Sequence, residues 1–170
     1  GNTIEGNMVT GNGDWGIFLD TDANGNTVRD NVATDNGAHG INLVGANGNS
    51  LTGNTATGNG EFGFILWMDA DSNTLTGNHA EDNGTTGFEV GGSGNNLLEG
   101  NRSVGNGHSG FSLSAGSLSN TLKENVAEDN EIDGFFILDE GVMNTSLMDN
   151  EAHRNGAWGI EDATTGGIGK

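Results

Sequence analysis

The reading of this chain turns on its first twenty residues, GNTIEGNMVTGNGDWGIFLD, Gly1 to Asp20. Asn2, Asn7 and Asn12 stand five apart, Ile4 and Val9 sit between them, and Gly16-Ile17-Phe18-Leu19 closes the run. The whole pattern then returns. An Asn recurs at Asn26, Asn49, Asn73, Asn96, Asn120 and Asn144, at steps of 23 or 24 residues. The second Asn returns at Asn31, Asn54, Asn78, Asn101 and Asn125, and the third at Asn36, Asn59, Asn83, Asn106 and Asn130. One extra residue in the last repeat moves their final equivalents to Asn150 and Asn155. Four residues after the third Asn comes Gly followed by an apolar residue, from Gly16-Ile17 through Gly63-Phe64 to Gly159-Ile160.

A unit this short cannot bury its own apolar face, so the units must stack into one continuous core. Period-2 alternation at Ile4–Val9 and at Ile17–Leu19 marks short strands with one inward face. Stacked coils set equivalent residues about 4.8 Å apart, so the inward columns can be read directly. One runs Ile4, Val28, Leu51, Leu75, Leu98, Leu122, Leu147; a small one runs Val9, Ala33, Ala56, Ala80, Ser103, Ala127, Ala152. A third holds Ile17, Ile41, Phe64, Phe88, Phe111, Phe135 and Ile160, and a fourth Leu19, Leu43, Leu66, Val90, Leu113 and Ile137. The Asn columns fall at corners, where Asn tolerates left-handed backbone and can bond the next coil. Gly6, Gly11, Gly53 and Gly58 precede ladder Asn and suit the same positive φ. The predicted fold is all-β: a right-handed single-stranded parallel β-helix of about seven coils, 1–170, with Asn ladders. The period excludes an 18-residue left-handed hexapeptide coil, and neither LxxLxLxxN nor GGxGxDxUx is present.

Composition narrows the function. The formal charge is −19, and the basic residues are Arg29, Arg102, Lys123, Arg154 and Lys170 alone. Binding a phosphate backbone needs clustered Lys and Arg, so nucleic acid is excluded as a partner. Anionic membranes are excluded on the same ground, and no apolar run is long enough to insert. Strong acidity suits a calcium-rich exterior, and an extracellular or periplasmic location is expected. The chain starts inside a coil and shows no capping helix, so it is read as a segment of a longer chain, with either capping segments missing or the end coils packed on partners such as flanking domains.

Four features carry candidate chemistry. Asp20-Thr21-Asp22-Ala23-Asn24-Gly25 reads D-x-D-x-N-G, the start of a calcium loop, although the bidentate Glu such a loop requires is replaced by Asn31. Asp69 and Asp71 form a weaker copy. Calcium is the cofactor these residues would take, weighed against the ordinary solvated turn that Asp and Asn favour in any case. The second feature is an outward apolar face carrying Phe18, Ile65, Trp67 and Phe136, expected to bind polysaccharide or a flanking protein domain. In the third, Trp15, Phe62 and Trp158 share a turn column with His39. In the fourth, His79, Glu81 and Arg102 come close on one outward face. They could bind a uronate and shuttle a proton, or simply pair charges across a solvated sheet.

The runs GNTIEGNMVTGNGDWGIFLD and GNTATGNGEFGFILW (Gly53–Trp67) resemble the parallel β-helix repeats of the periplasmic copper-processing NosD proteins and of carbohydrate-binding and sugar-hydrolase domains. Pectate lyase-like proteins and mannuronan C5-epimerases share that architecture. The resemblance covers nearly all of Asn2 to Asp162. It implies a protein that acts on, or holds, extracellular polysaccharide. Epimerases and lyases of this kind use a Tyr with a His and an acid, or a basic residue beside calcium; this chain has no Tyr and few basic residues. Copper binding would call for grouped Met, His or Cys, whereas the four Met and four His are scattered and Cys is absent. Two functions are weighed: a non-catalytic scaffold or carbohydrate-binding segment of a secreted protein, and a lyase, epimerase or hydrolase of extracellular acidic polysaccharide.

Overall fold

The computed structural model describes residues 1–138 and 141–163. Three strands per coil stack into three parallel sheets of seven strands each, with no helix among the described residues. The first sheet begins with Thr3–Glu5, the second with Met8–Thr10 and the third with Ile17–Leu19. Each strand pairs with its equivalent one coil on: Ile4 with Val28, Val9 with Ala33, Ile17 with Ile41.

The inward columns are those read from the sequence. Leu51, Leu75, Leu98 and Leu122 from the first sheet meet Ala56, Ala80 and Ala127 from the second and the Phe column from the third, all essentially without solvent contact. Phe64, Phe88, Phe111 and Phe135 stack with ring centroids 4.7, 4.8 and 4.9 Å apart and planes within 7°. This near-parallel stacking follows from the coil spacing, which places each ring one strand separation above the last. Ser103 is the polar exception in the small column. Its Oγ donates to Gly110 O at 2.9 Å and accepts from Asn106 Nδ2, so the hydroxyl is satisfied.

The second and third Asn columns form unbroken ladders. Asn78 N–H donates to Asn101 Oδ1 and Asn101 N–H to Asn125 Oδ1, each at 2.9 Å. The same Asn101 amide donates through Nδ2 to Leu75 O and to Asn125 Oδ1. Buried corner amides and carbonyls are thereby paired without water. The residue before a ladder Asn takes positive φ whether it is Gly53 (63°), Asp82 (51°) or Glu124 (54°).

The first ladder ends differently from the sequence expectation. Thr121 pairs with Ser146, so the residue stacked on Asn120 is Thr145 and not Asn144. The extra residue lies before Asn144, which occupies the positive-φ position (57°) held one coil earlier by Ser119. Thr145 cannot offer an amide, and its buried Oγ1 has no partner. The structure also holds a short ladder the repeat did not announce: Asn24 Oδ1 accepts from Asn47 N–H, Asn47 Oδ1 from Asp71 N–H and Asp71 Oδ1 from Gly94 N–H, all at 2.6 Å.

Candidate functional site

The third sheet turns outward the column Phe18, Asn42, Ile65, Glu89, Ser112, Phe136 and Glu161. Beside it runs Val44, Trp67, Gly91 and Ser114. Here the surface opens into a groove of about 530 Å³ lined by Trp15, His39, Asn42, Val44, Glu61, Phe62, Ile65, Trp67, Met68, Glu89 and Ser114. Trp15, His39, Glu61 and Phe62 come from the turns that precede the sheet, Trp67 and Met68 from the strand end opposite. An aromatic wall therefore stands on each side of a floor made by Asn42, Ile65 and Glu89.

The walls are fixed by contacts. Trp15 packs on Phe18 with centroids 4.4 Å apart and stacks on His39 at 6.3 Å; His39 meets Phe62 at 5.2 Å. Trp67 occupies the space over Gly91 of the next coil, where any Cβ would fall 1.9 Å from its Cζ3 atom. Gly91 is thus required by close approach rather than by backbone conformation.

The floor is polar and buried. Glu89 is 7% exposed, and burial pushes its carboxyl above the ordinary Glu range, against hydrogen bonds from Ser114 and Ser112 that favour the charged form. Ser114 Oγ donates to Glu89 Oε1 at 2.5 Å. Asn42 is 4% exposed, and its Oδ1 has no hydrogen-bond partner. An orphaned buried acceptor costs about 1–3 kcal/mol, and a ligand hydroxyl would relieve that. Burial lowers the His39 pKa, with Glu61 opposing it. His39 Nδ1 lies 3.3 Å from Glu61 Oε2 but is not aligned for a hydrogen bond, so the two form a loose ion pair at most.

Of the apolar face read from the sequence, the structure brings Ile65 and Trp67 into the groove. Ile65 is 7% exposed, covered where the sequence reading left it open. Phe18 supports the Trp15 wall from outside, and Phe136 lies two strands beyond Glu89, near His108 at a centroid distance of 6.5 Å. The sequence reading of this face named neither Glu89 nor Asn42 among its binding residues. Their flanking of Ile65, and the Gly91 beside Trp67, are the signals that point to them.

The polar trio of the second sheet is drawn apart. His79 Nε2 sits 3.2 Å from Glu81 Oε2, but Arg102, its register partner, turns away to Glu128 Oε2 at 2.5 Å. Glu128 also pairs with Arg154, which holds Asp129 as well. In the two loops expected to take calcium, Asp20 Oδ1 accepts from Thr21 N–H, while Asn24 and Asp71 carry the short ladder described above. Asp22 and Asp69 sit at positive φ, 66° and 64°. Among the described residues no group of three or more His, Cys, Asp or Glu converges to hold a metal ion.

Stacked coils, parallel three-sheet winding and Asn ladders define a right-handed β-helix protein, and residues 68–168 match the family model described as right handed beta helix region. Residues 1–97 match the model for the periplasmic copper-binding protein NosD, and the chain belongs to that family. No curated protein matches the sequence. Among solved structures, the chain is similar to the periplasmic alginate epimerase AlgG, with 24% identity and a TM-score of 0.82, covering 96% of this chain and 41% of that one. It is similar to the A-module of the Azotobacter vinelandii mannuronan C-5 epimerase AlgE4, with 19% identity and a TM-score of 0.76, covering 96% of this chain and 56% of that one. It is also similar to the pectate lyase Pel9A, with 15% identity and a TM-score of 0.67, covering 96% of this chain and 54% of that one. At these identities the likeness is one of fold, and the chain spans well under two thirds of each relative.

The copper named in the family description finds no fitting donor set among the described residues. The groove lining offers one imidazole, His39, and one thioether, Met68, with no third nitrogen or sulfur ligand. His79 and His153 lie on the second sheet three coils apart. Met8 and Met143 point to solvent at 76% and 57% exposure. A soft-metal centre needs such donors together, and no chemistry below runs through copper.

Proposed function

We propose that this chain is a carbohydrate-binding β-helix segment of a periplasmic or extracellular protein, and that it holds polysaccharide in the third-sheet groove. The observation that carries this reading is the pairing of aromatic walls with buried polar groups in one 530 Å³ depression. A sugar ring offers an apolar face to Trp67, Phe62 and Trp15 and hydroxyls to Asn42 and Glu89. That combination of mostly apolar lining with a few placed polar groups is how small-molecule sites achieve both affinity and orientation. The fold relatives named as alginate epimerases and a pectate lyase support it, since in them the same scaffold meets polysaccharide. The test is a glycan array, with and without calcium, run on the parent protein and on Trp67→Ala. Loss of every signal in the variant is the expected result. Array signals unchanged by Trp67→Ala would move the binding surface elsewhere, with the His79, Glu81 and Arg102 face next in line.

The second reading is a polysaccharide lyase, epimerase or hydrolase. One observation favours it: Glu89, displaced by burial toward its protonated form, shares the groove with His39, displaced by burial toward its neutral form. An acid and a base pushed toward those states suit proton transfer near neutral pH. Product analysis of array-positive glycans after incubation separates the two readings, because a binding segment returns them unchanged.

A further inference from the structure

The distribution of cations over the three sheets bears on which carbohydrate the groove takes. Arg29 pairs with Glu5 and Lys123 with Glu99 and Glu124, all along the first sheet. Arg102 and Arg154 are engaged by Glu128 and Asp129 along the second. Lys170 lies outside the described residues. None of the third-sheet strands contains Lys or Arg, and neither do the described residues from the end of each such strand to the next ladder Asn. The ionisable groups lining the groove are Glu61, Glu89 and His39, on a chain of formal charge −19.

A polyuronate carries one carboxylate per residue and has to meet cations, because a like charge in a partly desolvated groove is disfavoured and nothing nearby offsets it. This groove offers the reverse of that requirement. Its carboxyl groups are those of Glu89 and Glu61, and the orphaned Asn42 Oδ1 adds a buried acceptor. Hydroxyl groups donate to such acceptors, whereas carboxylates cannot. A neutral sugar therefore satisfies the floor with its hydroxyls, whereas a uronate that did the same would bring its carboxylate against Glu61 and Glu89.

Resting on the carbohydrate reading above, we infer that the groove selects a neutral hexose oligosaccharide over a uronate, with Asn42 and Glu89 receiving sugar hydroxyls while Trp67 stacks on a ring face. Specificity then lies in the repulsive half of recognition, a floor that penalises an anion. It departs from the acidic polysaccharides named in the alginate epimerase and pectate lyase relatives.

The experiment is calorimetric titration of the full chain with neutral gluco-, manno- and galacto-oligosaccharides and with oligomannuronate and oligogalacturonate of matched length, each in chelator and in excess calcium. The expected result is binding of at least one neutral series, with both uronates weaker by about tenfold or more. Asn42→Ala should weaken the neutral ligand by about tenfold, its fold checked by far-ultraviolet circular dichroism. Glu61→Lys alters an exposed rim side chain and should narrow the gap by admitting uronates, its fold checked in the same way. Uronates binding as tightly as neutral chains, in chelator or only with calcium, overturn the charge selection and leave the carbohydrate reading standing. If no saccharide of either kind binds, while Trp67→Ala changes the assembly state in light scattering, the groove is a protein contact and both readings fall.

Discussion

The indole of Trp67 lies across Gly91 of the neighbouring coil, so close that a Cβ on Gly91 would stand 1.9 Å from Cζ3 and 2.2 Å from Cε3. Two register-paired residues thus divide one space, the larger depending on the absence of the smaller. The groove wall is consequently set by a glycine that is not itself among the lining residues. Gly91→Ala is expected to push the indole out of place and weaken glycan binding by about tenfold or more, with less effect on the fold. Tryptophan emission of the variant, read beside its binding isotherm, checks this. An unshifted spectrum with parent-like affinity would show that the ring finds another seat.

Phe111 stacks between Phe88 and Phe135 and has no solvent contact. Phe111→Ala should cost about 3–5 kcal/mol, since the rigid coils above and below cannot collapse into the space. Denaturant melts measure it, and a loss under about 1 kcal/mol would contradict the packed column.

Asn101 gives and receives across three coils, with partners Asn78, Asn125 and Leu75 O. Asn101→Leu keeps the branched shape but leaves the Asn78 N–H without its buried acceptor and takes a donor from the Leu75 carbonyl. Each orphaned group costs about 1–3 kcal/mol. Asn12→Leu, at the exposed end of a ladder, is the control, and the Asn101 variant is expected to lose clearly more stability. Equal melting of the two variants would show the ladder to be dispensable.

Glu89 makes stability depend on pH. Its folded pKa is raised, so the folded state holds a proton that the unfolded chain has released. Stability associated with this group is complete below the ordinary Glu value of about 4.3 and declines as pH rises through the folded pKa. Glu89→Gln removes the titration while keeping the shape. The variant should gain on the parent as pH rises from about 4 toward neutral, and the gain should vanish in acid. Parallel melts across that range test the sign, and a variant that loses ground on raising pH would reverse it.

Calcium, where it binds this chain at all, is expected at Asp20, Asp22 and Asn24 before Asp69 and Asp71. The Asp71 carboxylate already accepts a backbone amide at 2.6 Å as part of the short ladder, whereas Asp20 Oδ1 accepts the amide of its own neighbour Thr21. Calorimetric titration of Asp20→Ala beside the parent decides it. Undiminished heat in the variant rules the loop out.

Much of the architecture was legible because it is repeated. Period-2 alternation inside a 23- or 24-residue unit places Leu75, Ala80 and Phe88 inward whatever the rotamers do, and stacking then dictates their neighbours. The Asn ladders follow from the same register. Where the repeat slipped, the reading slipped with it: an insertion before Asn144 cannot be told by spacing from one after it, and pairing of Thr121 with Ser146 settled that Thr145 closes the column. The ladder through Asn24, Asn47 and Asp71 escaped notice because its members are of different residue types.

The sequence by itself therefore determined the coil, its inward columns and its acidity, since each depends on backbone period and composition. Only the tertiary structure decided where a ligand could sit. The groove exists because Trp67 folds over Gly91, because Asn42 and Glu89 are buried at outward positions, and because turns from three coils raise Trp15, His39 and Phe62 beside them. Those are matters of side-chain rotamer and turn path, which a periodic pattern leaves free and only packing between coils resolves.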